Sequence, residues 1–462
     1  MRKAFYIGIA GYLAVIVLAV IFYKERIIFS DGAFYLFTMV STDAPAVFHN
    51  RFIGLLPQLP AFLTMKSGQS LETVSLIYSA AFAIYFLLAY LAAGLLFKSP
   101  RFALVTLFLN MLLMTDTFYW IFSEFTLGIA LLMVLFAALD RDRPGYRPWQ
   151  VWVTGLLLLP FIVYAHPLLF VPLCYTLAFF LLSRHSPTER KNLLILGAVY
   201  VLAYVVKSVV TTDPYDKGGG HGLRNFVTLF PDYFSTYAMR NMMGNLVTKY
   251  YWIPVFGLAV VGHYLYSRQW IKLCLFLSSM AGYIMLINIT YPTDQTGDFY
   301  YENMYLPVSV FLALPFLFDL VPAIRKAWLA PAAVAVIVLS CLLRVWIHAP
   351  AYQERLDWQR RFTAAHLDEK IVVHTSLVPR GTLMTEWSTP YEFWALSTME
   401  FPHTASILIL DNPDEVGWAT GNRSAFLGRW GMFPYSSLSE TYFRFSDTTT
   451  SYRIIRDSLS LQ

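Results

Sequence analysis

Long hydrophobic runs and short polar breaks alternate along most of this chain. The runs lie near 4–23, 72–97, 102–115, 121–139, 150–165, 167–183, 192–210, 250–267, 271–290, 304–322 and 328–347. About 20 apolar residues in a helix cross a bilayer, so the pattern predicts about eleven transmembrane helices. The segment 52–65 is apolar too, but it is short and holds Pro57 and Pro60, which predicts a re-entrant or interfacial helix. After His348 the pattern changes to short β-rich runs at 370–374, 406–410, 442–445 and 452–455, which predict a small α+β domain. The expected organisation is therefore an all-α polytopic membrane domain over 1–347 and a separate domain over 348–462.

The breaks assign sides. With Arg2 and Lys3 in the cytoplasm, every second connection carries base: Lys98 and Arg101; Arg141, Arg143 and Arg147; Arg184, Arg190 and Lys191; Arg268 and Lys272; Arg325 and Lys326. The tight alternate connections, near 115–120, 165–167 and 291–303, have no Lys or Arg. That asymmetry is the positive-inside pattern. It predicts a cytoplasmic N-terminus, with 24–71, 211–249 and the C-terminal domain outside. Lys24-Glu25-Arg26 follows the first run where a cleavage site would need small residues, so that run is expected to be an uncleaved span.

Composition agrees with the pattern. The chain has 462 residues, 57% hydrophobic and 14% charged, where a soluble domain carries about 25% charged residues. A net charge of +5 gives no reason to expect nucleic acid as a partner. Cys174, Cys274 and Cys341 all lie in apolar stretches and read as small apolar residues.

The predicted outside face collects the acids. Asp31 follows the first span in Ser30-Asp31-Gly32-Ala33-Phe34-Tyr35, where a carboxylate beside glycine and aromatics suits a general base, or else an N-cap. Asp116 and Glu124 flank the connection between the third and fourth runs, where they suit a site, or else a helix cap for Asp116 and a buried partner of an Arg or Lys for Glu124; Glu302 precedes the tenth. Asp43, Asp213, Asp216, Asp232, Asp294 and Asp298 lie on the same side or at its edge. An acid inside a span costs about 2.5–3.5 kcal/mol on insertion, so one near a helix end is a functional candidate. Arg51, beside His49, offers planar recognition of phosphate, or snorkels to the interface. Arg224, Arg240 and Lys249 suit a lipid diphosphate or lipid headgroups. His166 is a lone histidine at an outside helix end, equally suited to a structural role. The glycine-rich 213–224 segment suits a mobile lid or an ordinary loop. No paired His/Cys spacing marks a metal site, although the carboxylates leave room for a divalent cation such as Mg or Mn.

On these residues the chain resembles the GT-C class of integral-membrane glycosyltransferases. Members have a cytoplasmic N-terminus, a long first outside loop with an essential acid just after helix 1, a second acid between helices 3 and 4, and often a C-terminal domain outside the membrane. The matching positions are Asp31, Asp116 or Glu124, and the region after His348. Asn303-Met304-Tyr305-Leu306-Pro307 is similar to a polar-Arg-Tyr-Leu-Pro helix entry in several members, without its Arg. No Trp-Trp-Asp signature appears in the tail, so protein N-glycosylation is not expected.

The resemblance implies a polyprenyl-phosphate-linked sugar as donor and an envelope glycan or lipid as acceptor, in the cytoplasmic (inner) membrane of a bacterium. Asp31 would take the acceptor proton. Arg51, Arg224 or Arg240 would neutralise the departing lipid phosphate. His49, His166 and Tyr35 are expected around the pocket. The competing classes are a secondary transporter, a non-catalytic scaffold in envelope assembly, and an acyl or phosphoethanolamine transferase.

Overall fold

The computed structural model describes residues 1–121, 123–140, 146–183, 187–210, 221–292, 297–379 and 381–456. The expected lid segment lies mostly outside these residues, as do Asp213, Asp216 and Asp294.

The molecule is 72% helical. Each hydrophobic run has become a helix, and six are long and apolar enough to cross a membrane: Arg2–Ile21, Leu71–Leu96, Arg190–Val210, Trp270–Thr290, Asp298–Ile324 and Leu329–Ala365. The other five, Pro100–Met111, Glu124–Leu139, Pro148–Val163, Pro167–Ser183 and Trp252–Tyr266, are shorter. Pro100–Met111 has 12 residues, a rise of about 18 Å against a hydrocarbon core of about 30 Å. The expected run 102–115 is cut short because its last residues lead into a 3-10 turn, Asp116–Phe118. Proline at the first helical position opens Pro100–Met111 and Pro148–Val163, where its missing N–H costs nothing. Arg344 sits on the C-terminus of Pro100–Met111, donating to the carbonyls of Met111 and Leu112 at 2.8 and 3.0 Å, which are among the helix's orphan acceptors.

Alternate connections meet at opposite ends of the bundle. At one end Arg51 reaches Glu124, Trp120 reaches Asp31, Lys249 reaches Asp116, and Thr115 reaches Glu302. At the other, Ser99 donates to Asp140 at 2.6 Å, Lys272 pairs with Asp319 at 2.9 Å, and Arg101 lies 5.4 Å from the Phe318 ring. The segment 52–65 forms a short 3-10 turn and the helix Leu55–Lys66. Gln58 and Ala61 face inward, while Leu56, Leu59 and Leu63 form an exposed apolar stripe at helical spacing.

The C-terminal unit contains a three-stranded parallel sheet in the order β2–β1–β5 and a hairpin β3–β4. The strands are β1 Lys370–His374, β2 Ser406–Leu410, β3 Ala425–Leu427, β4 Met432–Pro434 and β5 Arg453–Ile455. The helix Thr389–Glu400 makes the β1–β2 crossover, so the unit is organised as α/β rather than as the expected α+β. Period-2 alternation splits the strands between two cores. Ile371, Val373, Ile407 and Ile409 face Phe393, while Val372, Leu408 and Leu410 face Val416, Ala419 and Leu427. Both faces are covered, which explains the uninterrupted apolar runs. The expected strand at 442–445 is irregular; Phe443 stacks on Trp394 at 5.3 Å, and the Thr404 N–H donates to the Arg444 carbonyl at 2.8 Å.

The expected boundary at 347/348 falls inside the 37-residue helix Leu329–Ala365, which runs unbroken through it. The hydrophobic core is likewise continuous across it. Phe37, on the helix Ser30–Thr42, is ringed by Tyr391, Trp394, Phe426, Phe433 and Phe443 of the C-terminal unit.

Candidate active site

Asp31 lies in the first turn of the helix Ser30–Thr42, one residue past its start. That helix packs tightly against the preceding chain: a Cβ on Gly32 would come within 2.9 Å of the Arg26 carbonyl oxygen, so only glycine fits. Ser30 takes a left-handed backbone, φ 47°, and its N–H donates to Glu392 Oε1 at 2.8 Å. Glu392 is fully buried in the C-terminal unit, where it also accepts from Ser388 and Gln359 at 2.8 Å and pairs with Arg355. Arg355 in turn donates to the Ile28 carbonyl at 2.8 Å. The backbone on both sides of Phe29 is thus held by the C-terminal unit.

The Asp31 side chain does not cap its helix. Its Oδ2 accepts the Trp120 indole N–H at 2.7 Å. One helical turn on, the Tyr35 hydroxyl donates to Glu124 Oε1 at 2.8 Å, and Arg51 Nη1 lies 3.5 Å from Glu124 Oε2. Arg51 is brought in by two consecutive left-handed residues, His49 and Asn50. Burial first, then the negative charge of Glu124, push the Asp31 pKa up to about 7, against the pull of the Trp120 N–H and the Arg51 guanidinium.

His166 closes this cluster. Its ring lies 4.8 Å from that of Phe125, and its Nδ1 accepts the Leu168 N–H at 3.2 Å. Burial, followed by the charges of Arg51 and Lys207, holds its pKa well below the usual range, so it is neutral at physiological pH. Lys207 is buried, with its ammonium 5.3 Å from the Tyr164 ring centre.

A second acid cluster lies a few residues away. Glu302 is fully buried and accepts the N–H groups of Thr115, Asp116 and Thr117 at 2.7, 3.2 and 2.9 Å, with the Tyr250 hydroxyl at 3.1 Å. This places a carboxylate on the start of the 3-10 turn Asp116–Phe118. Asp116 pairs with Lys249 at 2.7 Å and accepts from Tyr352 at 3.3 Å. Burial works against the Lys249 ammonium, but Asp116, with Glu302 and Asp298, outweighs it and holds its pKa above the usual lysine range.

Of the residues singled out for the site, Asp31, Tyr35, Arg51, Glu124 and His166 form one cluster, and Asp116, Glu302 and Lys249 form another, in which Lys249 is paired with Asp116 instead of facing a lipid phosphate. His49 is half-buried beside Phe48. Arg224 and Arg240 are exposed on the helices His221–Thr228 and Tyr237–Thr248, and nothing places either in the Asp31 cluster. Trp120, Lys207 and Glu392 were not singled out. Lys207 carried a signal, a charge within an apolar run, whereas Glu392 carried none.

Among the described residues, no three His, Cys, Asp or Glu side chains gather as a metal site. Asp116 is taken up by Lys249 and Glu302 by backbone amides, so these acids do not fit a divalent centre. No protein-family model, curated protein or solved structure matches the chain.

Proposed function

We propose that the chain is a membrane glycosyltransferase of the GT-C kind, crossing a bacterial cytoplasmic membrane eleven times with the Asp31 end outside. The donor is a sugar carried on polyprenyl phosphate, and the acceptor is a hydroxyl of an envelope glycan or lipid. The positive-inside pattern supports the orientation, as does the gathering of the base-poor connections at one end.

The observation that carries the reading is the state of Asp31. Its carboxylate is held by a neutral indole donor, its pKa is pushed up to about 7, and Arg51 stands close by. A base poised near the working pH is what proton abstraction needs. Asp31 takes the proton of the acceptor hydroxyl as the acceptor oxygen bonds to the sugar's anomeric carbon. The bond from that carbon to phosphate breaks, and its electron pair leaves on the phosphate oxygen. One displacement inverts the anomeric configuration. Arg51, with Lys207 behind it, neutralises the phosphate. Glu124 keeps Arg51 and Tyr35 in place and raises the Asp31 pKa.

The test is transfer by purified protein in detergent, from a panel of polyprenyl-phosphate sugars to an envelope glycan extract. Wild type should transfer, and folded Asp31→Asn should transfer at least about a hundredfold more slowly. Equal transfer by both would remove Asp31 as base. No transfer from any donor would overturn the class.

A further inference from the structure

The C-terminal unit holds a cavity of about 420 Å³, within the range of about 300–1,000 Å³ found for small-molecule sites. It lies at the carboxyl ends of two neighbouring parallel strands: Thr375 and Ser376 follow β1, and Asp411 follows β2. Open α/β sheets bind ligands at this edge. Leu383 and Met384 give the cavity an apolar wall, and Glu386 and Asp411 give it two carboxylates. The Asp411 N–H donates to Glu386 Oε2 at 2.9 Å, and Thr375 donates to Asp411. Burial, then Asp411, raises the Glu386 pKa. Acids and hydroxyls of this kind repel anions and accept hydroxyl donors.

The next residue, Trp387, leads from this cavity to the Asp31 helix. Its ring lies 5.0 Å from that of Trp430 at an interplanar angle of 32°, and the two indoles lie 5.9 and 5.3 Å from Phe34. Phe34 stands three residues after Asp31, on the same side of the helix. Trp430 is 62% exposed at the tip of the β3–β4 hairpin. Tyr391 wedges beneath that turn, where a Cβ on Gly428 would meet its hydroxyl at 2.8 Å, and Arg429 pairs with Glu415 at 2.7 Å. A tip fixed from below holds its exposed indole in place.

A sugar ring has an apolar C–H face and a rim of hydroxyls. The exposed Trp430 indole, with the half-buried Trp387 beside it, matches the face, and the carboxylates and hydroxyls of the cavity match the rim. We infer that Trp387, Trp430, Glu386 and Asp411 form a saccharide-binding subsite that holds the acceptor glycan beyond the hydroxyl facing Asp31. The identity of this ligand as acceptor rests on the transferase reading above.

The full chain in detergent is screened on an array of defined oligosaccharides, and the best binder is titrated by tryptophan fluorescence. Trp430→Ala and Glu386→Gln should each weaken binding at least tenfold and raise acceptor KM in step, with kcat changed less than threefold. Asp31→Asn should bind as wild type does. Glu386→Gln is close in size, so it keeps the test valid if a tryptophan variant misfolds. If wild type transfers sugar but both variants keep its glycan affinity and KM, the subsite is wrong and the transferase reading stands. If the variants lose glycan binding but wild type transfers from no donor, the subsite stands and the transferase reading falls. Absence of any array binder, or quenching of Trp430 by brominated lipid in nanodiscs, overturns the subsite; the second result would make these indoles bilayer anchors.

Discussion

The two acid clusters share one end of the bundle and are built in opposite ways. Glu302 is surrounded by donors, with three backbone N–H groups and a tyrosine hydroxyl, and Asp116 has a lysine partner at 2.7 Å. Asp31 has an indole N–H and faces the like charge of Glu124. An acid whose oxygens are taken up by donors serves as a brace. Under-compensation leaves it able to take a proton. The brace also serves the base, because the 3-10 turn that Glu302 caps lies just before Trp120.

Removing the base should matter most: Asp31→Asn should lower kcat about 10²–10⁴-fold in the transfer assay. The clamp under the base comes next. Glu392→Ala leaves Arg355 buried without its carboxylate and should cost about 3–5 kcal/mol, read by thermal unfolding in detergent. The brace should be weaker. Lys249→Met should cost about 2 kcal/mol of stability, while transfer by the folded fraction stays within tenfold of wild type. A larger loss of kcat there would move Asp116 into the reaction.

Asp31 also predicts a pH dependence of stability. Its folded pKa, about 7, exceeds the ordinary carboxylate value of about 3.9. Its contribution is therefore full below the ordinary value and is lost as pH rises through about 7. Asp31→Asn should equal wild type in stability near pH 4 and exceed it at pH 8. The gain should be on the order of 1–2 kcal/mol, less than the full shift implies, because the half-buried carboxylate retains some contact with solvent. The smallest effect is a tuning one. Trp120→Phe removes a donor to the ionised form and should raise the Asp31 pKa by about one unit.

Much of this was legible in the hydrophobic pattern. Every apolar run became a helix, because the length of an apolar run and its end signals are local properties. Helix length was less legible: 102–115 was expected whole, but the turn at Asp116 depends on Glu302, nearly two hundred residues away. Asp31, Arg51 and Glu124 could be singled out because charges beside apolar runs are costly and therefore conspicuous. Glu392 could not, because an acid in a mixed polar segment looks ordinary until Arg355 and Ser30 are seen against it. The strands at 370–374 and 406–410 were read from β-branched runs. Their parallel pairing, which creates the cavity edge, depends on a crossover helix that those runs do not encode.

Whether Asp31 is the base is read from the pH profile of kcat/KM for sugar transfer, which reports the free enzyme's essential groups. With Asp31 as base, kcat/KM should rise with pH, half-complete near pH 7, and the rise should disappear in Asp31→Asn. A flat profile between pH 5 and 9, or the same rise in Asp31→Asn, would contradict it.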